Sequence, residues 1–152
     1  MHILYLHQYF CTPEGSSGTR SYEMARRLVA AGHRVTMVCS AANLGHLDLP
    51  AGRSDLEIDG IHVIALNVAY SNRMSHLERI KAFYRFAWGA RQAGRAASGV
   101  DVVFATSTPL TIAYPGVGAS RRHRCPMVFE VRDLWPELPI AVGALRDPVS
   151  KA

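Results

Sequence analysis

With 152 residues, 49% of them apolar and 19% charged, the chain has the make-up of one folded domain, and disorder is excluded. A chain of this length buries roughly 70% of the surface its unfolded form exposes, so it needs no covalent or metal staple. The three cysteines are odd in number, far apart and without a Cys-x-x-Cys pair, which excludes a disulfide framework and a zinc knuckle and fits a reducing cytosol.

His2 to His7 is a short apolar run rich in β-formers and predicts a first buried strand. It starts directly after Met1, with no basic lead and no small-residue cleavage site, so no signal peptide is expected. No apolar run approaches the roughly 20 residues that span a bilayer. The loop Thr12 to Gly18 is rich in glycine and serine. A helix is predicted from near Thr19, with Tyr22, Ala25, Leu28 and Val29 at helical spacing and Gly32 as its stop. Val35 to Cys39 predicts a second strand, and strand–helix–strand order implies a parallel sheet.

Ser40 to Arg53 has no period and reads as loop. Leu56–Ile58 and Ile61–Ile64 flank Asp59-Gly60, a hairpin signal. Arg73 to Ala97 is the longest helical pattern and holds the whole charge excess of the chain: six basic residues (Arg73, Arg79, Lys81, Arg85, Arg91, Arg95) against Glu78, within a net charge of +5. Leu77, Ile80, Tyr84, Ala87 and Trp88 mark one face of it, expected to pack on the sheet, while Phe86 falls nearly opposite. Val102 to Thr106 predicts a buried strand, with Pro109 opening a helix after it. Met127 to Val131 predicts another buried strand, and Pro136 breaks the chain before one more helical stretch. The last residues, Asp147 to Ala152, carry no capping end, as in a chain that continues. The alternation predicts an α/β, doubly wound, mostly parallel Rossmann-like sheet.

In such a sheet ligands bind beyond the carboxyl ends of the strands. Gly15-Ser16-Ser17-Gly18 fits that edge either as a phosphate cradle at a helix start or as a plain turn. It is not a dinucleotide fingerprint: the spacing is Gly-x-x-Gly, and the second strand ends in Cys39-Ser40-Ala41 without the ribose-binding acid. Thr106-Ser107-Thr108-Pro109 reaches the same edge, with Thr108 read as an N-cap and Ser107 left open to ligand. Glu130, Arg132 and Asp133 follow the Met127 strand and are the strongest polar candidates, against the competing reading of a structural ion pair involving Arg132. The basic helix with its aromatics can pack, or can also meet an anionic membrane. No nucleic-acid reader motif accompanies the charge, so no nucleic-acid partner is expected.

Taken in order, His2 to Phe10, Gly18-Thr19-Arg20-Ser21-Tyr22-Glu23, Gly32-His33-x-Val35-Thr36, Ala105 to Leu110 and Phe129 to Pro139 resemble the N-terminal half of bacterial family 4 glycosyltransferases. The resemblance is nearest to the subgroup that builds surface polysaccharides such as O-antigen and capsule, including the type resembling L-fucosamine transferases. It implies one Rossmann-like half of a GT-B enzyme, spanning residues 1–152, with the C-terminal donor-binding domain absent and this piece inactive alone. It also implies retention of anomeric configuration, no cofactor and no metal.

The substrates implied are a nucleotide sugar (a UDP-sugar) as donor and a lipid-linked saccharide as acceptor, met peripherally at the cytoplasmic face of the cell membrane. Carried onto this sequence, the donor phosphates fall to Gly15, Gly18 and Thr19, and the acceptor to Ser107 and Arg20. Catalysis falls to Asp133, Arg132 and Glu130, and membrane contact to Arg79, Lys81 and Arg85. Relatives often have histidine where Arg132 stands; an arginine is no base, so orientation or charge stabilisation is its expected role. The alternative is a non-catalytic acceptor-binding or membrane-docking module that needs a partner chain.

Overall fold

The computed structural model describes residues 1–71 and 74–132. Its elements are β1 (His2–Leu6), α1 (Arg20–Ala30), β2 (Arg34–Ser40), β3 (Arg53–Ile58), β4 (Ile61–Leu66), α2 (His76–Ala96), β5 (Val102–Thr106), α3 (Ala113–His123) and β6 (Met127–Glu130). The helical stretch expected after Pro136 lies outside the described residues, as does Asp133. The six strands form one sheet in the order β3-β4-β2-β1-β5-β6. All pairings are parallel except that of β3 with β4. The alternating strands and helices close as the sequence pattern predicts, into a Rossmann-like α/β fold.

Local chemistry explains the boundaries. α1 ends where Gly32 takes φ +83, with Gly32 N donating to Val29 O and His33 N to Leu28 O. Asp59 and Gly60, at φ 49 and 76, form the two-residue turn with both residues left-handed that joins β3 to β4. Tyr22 of α1 ties that turn down by donating its hydroxyl hydrogen to Asp59. At the start of α2, Ser75 and Glu78 make a reciprocal capping box.

Each face of the sheet buries its own apolar cluster. Ile3, Tyr5, Val35, Met37 and Val63 pack toward Tyr22 and Ala25 of α1. On the opposite face, Leu4, Leu6, Val38, Ile64 and Val103 pack toward Phe86, Ala90 and Ala93 of α2 and Ala119 of α3. Alternation along β1 and β2 thus serves two cores at once, as a sheet covered on both sides requires.

Three expectations are corrected. The α2 stripe faces outward except at Ala87, which is buried as expected: Leu77, Ile80, Tyr84 and Trp88 are 71%, 48%, 67% and 60% exposed, while Phe86 is 1% exposed. The helix turns its small side to the sheet because it lies close: a Cβ at Gly89 would come within 2.9 Å of Leu66 Cδ1, and one at Gly94 within 3.3 Å of Leu4 Cδ2. Large side chains on that side would hold the helix away from the strands. Next, β6 is not a buried strand. It is the sheet edge among the described residues, with Val128 and Phe129 49% and 37% exposed. Finally, Thr108 is no N-cap: a single 3-10 turn, Leu110–Ile112, intervenes after Pro109, and α3 begins at Ala113.

Candidate functional site

β1 lies between β2 and β5, with the chain passing to β2 through α1 on one face and from β5 to β6 through α3 on the other. The carboxyl ends of β1 and β5 therefore diverge, and the crevice at such a switch point is where open α/β sheets bind ligands. A cavity of about 530 Å³ opens there. His7 and Tyr9 line it from the end of β1, Ser17, Gly18 and Arg20 from the glycine loop and the start of α1. Tyr70, Ser71 and Asn43 line it from the loops on the β2–β4 side, and Thr108 and Arg132 from the ends of β5 and β6.

One end of this cavity is charged. Arg20 forms an ion pair with Glu130 across the mouth of the crevice, tying the first turn of α1 to the last residue of β6. Glu130 also accepts a hydrogen bond from Thr106 Oγ1 at 3.0 Å. Partial burial alone would raise the Glu130 carboxyl, but the bonds from Arg20 and Thr106 and the nearby Arg132 charge hold it below its usual range. Glu130 is therefore an ionised strut at neutral pH, and Arg20 is aimed by it. The Arg132 backbone N–H donates to Ser107 Oγ at 2.9 Å, which fixes the chain as it leaves β6. Arg132 itself borders the cavity.

The other end is aromatic. Tyr9 and Tyr70 meet with ring centroids 5.2 Å apart, and Tyr70 stacks on Phe83 of α2 at 5.6 Å and 25°. Burial and the neighbouring Tyr70 hydroxyl push the Tyr9 phenol far above its ordinary range, with the Arg79 charge opposing. His7 sits between the two ends, 2% exposed, its Nδ1 sharing a 2.8 Å hydrogen bond with Ser21 Oγ. Burial, reinforced by the Arg132 charge, lowers the His7 imidazole to about 4, so it is neutral at pH 7.

The chain matches the glycosyl transferase 4-like domain family over residues 15–151. It belongs to that family. No curated protein matches the chain. Among solved structures, two of the C-terminal domain of PF1911 hydrogenase from Pyrococcus furiosus are similar. The one of residues 78–226 has a TM-score of 0.57 at 15% identity, and the one of residues 83–215 has 0.56 at 13%. Each alignment covers 85% of this chain and 90% of the other, and at such low identity the likeness concerns the fold alone.

As a glycosyl transferase 4-like domain, the protein has a glycosyl-transfer role, and its crevice gathers part of the predicted set. Gly18, Arg20 and Arg132 line it, and Glu130 stands beside it as the ion-pair partner of Arg20. Gly15 is turned inward instead: a Cβ there would stand 2.3 Å from Cys11 Sγ, so internal packing accounts for this glycine. Thr19 flanks α1 as its N-cap without a side-chain capping bond and is not among the cavity residues. Ser107 is 1% exposed, its hydroxyl engaged by Arg132 N. The ion pair read for Arg132 is not the one found: among the described residues the ion pair of this crevice joins Glu130 to Arg20.

Of the three basic residues read for the membrane, Lys81 and Arg85 are exposed, whereas Arg79 is half-buried and near enough to Tyr9 to influence its phenol. No group of three or more His, Cys, Asp or Glu among the described residues is arranged to hold a metal, and no helix among them is long and apolar enough to cross a membrane.

Sequence reasoning missed His7, Tyr9, Tyr70 and Asn43. For His7 and Tyr9 a signal was available, since polar and aromatic residues directly after the first strand lie at the same edge as the glycine loop. Tyr70 and Asn43 stand in aperiodic segments that carry no such signal.

Proposed function

We propose that this domain is the acceptor side of a retaining glycosyltransferase for surface-polysaccharide biosynthesis. A UDP-sugar is the donor, a lipid-linked saccharide is the acceptor, and a second Rossmann-like domain closes the crevice and holds most of the donor, with no resident metal. The observation that carries this reading is the two-ended chemistry of the cavity in a chain of this family. Arg20, Arg132 and Gly18 at one end suit a diphosphate, and Tyr9 and Tyr70 at the other suit a sugar ring. An arginine is no base, so the role of Arg132 is to orient the donor and stabilise charge on the leaving diphosphate. Glu130 serves by aiming Arg20, and Asp133 is the adjoining acid. The full-length protein, offered a panel of nucleotide sugars and a lipid-diphosphate saccharide, is expected to add one sugar with the donor's anomeric configuration kept. No transfer from any donor, or inversion, would overturn the reading.

On the same reading the protein works at the inner face of the cell membrane, where a lipid-linked acceptor is held. The outward stripe of α2 supports this, and α3 also exposes Tyr114 and Val117, at 52% and 40%. Lys81 and Arg85 flank the stripe, while Arg91, Arg95, Arg121 and Arg122 border a cleft with Tyr114 and Val117 between α2 and α3. Each basic group near an anionic surface contributes about 1 kcal/mol. Charge reversal at Lys81 and Arg85 should weaken co-sedimentation with phosphatidylglycerol vesicles, and Trp88→Ser should weaken it further. Unchanged binding would remove the membrane from the account.

A further inference from the structure

We propose that His7 is a specificity-determining residue of the crevice, its Nε2 hydrogen-bonding one ring hydroxyl of the acceptor sugar. This rests on the reading of the cavity as an acceptor site. The starting observation is an orphan: His7 Nε2 is a buried polar atom with no partner among the described residues. Buried polar groups are nearly always bonded, to protein, water or ligand. His7 lines the cavity, so the missing partner is one that can come and go.

The ring is held for this task. Nδ1 is engaged by Ser21 Oγ, and Ser21 is itself 2% exposed in the first turn of α1. The edge-to-face contact with Tyr9, ring centroids 6.5 Å apart, sets the imidazole beside the aromatic end of the cavity. Anchoring one ring nitrogen fixes the orientation of the imidazole and leaves the other nitrogen as a single hydrogen-bonding position.

The chemistry of that position narrows the ligand. A neutral imidazole offers no charge to a phosphate, and the cavity already supplies Arg20 and Arg132 for that. A hydroxyl both donates and accepts, so it satisfies Nε2 in either tautomer, whereas a phosphate oxygen only accepts. A sugar hydroxyl beside Tyr9 and Tyr70 is the class that fits.

Two substitutions separate recognition from scaffolding, because each keeps a different half of the ring's bonding. His7→Asn retains an amide near Nδ1 and the bond to Ser21 but leaves nothing at Nε2. His7→Gln reaches to the Nε2 position and gives up Ser21. In the full-length enzyme, with alkyl-diphosphate glucosides and N-acetylglucosaminides as acceptors, His7→Asn should lower kcat/KM for the acceptor roughly 10- to 100-fold. His7→Gln should lose less, and the donor KM should hold in both. A structural role alone would reverse the order of the two variants. One mono-deoxy acceptor should be poor for wild type and no poorer than its parent for His7→Asn.

The independent readout is the ¹⁵N shift of His7 Nε2, which should move on saturation with the accepted probe and stay in place with that deoxy analogue. Turnover or calorimetric binding of a probe with the shift unmoved, or a change in donor KM alone, overturns the proposal and leaves the glycosyltransferase reading standing. Neither turnover nor binding across the panel overturns both.

Discussion

Replacing Phe86 by alanine removes the largest side chain that α2 places against the sheet. Phe86 is 1% exposed and packs in the cluster with Leu4, Leu6, Val38, Ile64 and Leu66. Truncation of a fully buried phenylalanine costs about 3–5 kcal/mol, the lost transfer energy plus the cavity left behind. For a domain near 150 residues this lowers Tm by roughly 8–15 °C. Trp88, two residues on, is 60% exposed, so Trp88→Ala should cost about 0.5 kcal/mol, as surface changes do. Urea and thermal unfolding followed by far-UV circular dichroism measure both. If Trp88→Ala proves the more damaging of the pair, α2 packs through its Leu77–Trp88 stripe, and the outward apolar face on which the membrane reading stands does not exist.

Acid should reveal His7. Its folded pKa of about 4 lies below the ordinary 6.5, so the unfolded chain binds the proton first and stability falls as pH drops from 6.5 through 4, by about 3 kcal/mol in all. His7→Asn should flatten that part of the pH profile; an identical slope would show that His7 is not buried neutral. Glu130 has the opposite sign. Its folded carboxyl is held low, so its stabilising effect is present above the ordinary carboxylate pKa and is lost as pH falls through the folded value. Glu130→Gln should therefore cost about 0.5–1 kcal/mol at pH 7, discounted because Arg20 is largely exposed, and nothing near pH 2. An equal cost at both would argue against the ion pair with Arg20. Gly60→Ala should destabilise by about 1–2 kcal/mol, since φ is +76 and the new Cβ would sit 2.9 Å from Val29 Cγ1. A neutral result by urea titration would refute the tight β3–β4 turn.

Much of the fold was legible because its signals are local. The apolar runs of β1, β2 and β5, the Asp59-Gly60 turn and the Gly32 stop each name a backbone state without reference to the rest of the chain. The orientation of α2 was not local. Counting large apolar residues selects Leu77, Ile80, Tyr84 and Trp88, but a helix lying close on a sheet is chosen by what is small, here Gly89, Ala90, Ala93 and Gly94 with Phe86 as the one large insert. Periodicity fixes the spacing of a stripe and leaves open which of two faces meets the sheet.

The same division holds at the site. Gly18, Glu130 and Arg132 could be assembled from the rule that strand ends and the loops after them carry the ligand site, whereas Arg20, in the first turn of α1, was reached only through the family resemblance. That Glu130 pairs with Arg20, 110 residues away, depends on β6 lying beside β5 and on the start of α1 reaching over β1. The inward turn of Gly15 depends likewise on where Cys11 folds back, and sequence spacing carries no trace of it.

The central claim is that sugar transfer takes place at the crevice between the ends of β1 and β5. The most direct measurement is turnover by the full-length protein carrying Arg132→Ala, compared with wild type under saturating nucleotide sugar and lipid-diphosphate acceptor. Loss of one charge-stabilising group of this kind lowers kcat about 10²- to 10³-fold, and that loss is expected here with the circular dichroism spectrum unchanged. A correctly folded Arg132→Ala protein that transfers sugar at the wild-type rate would contradict the account.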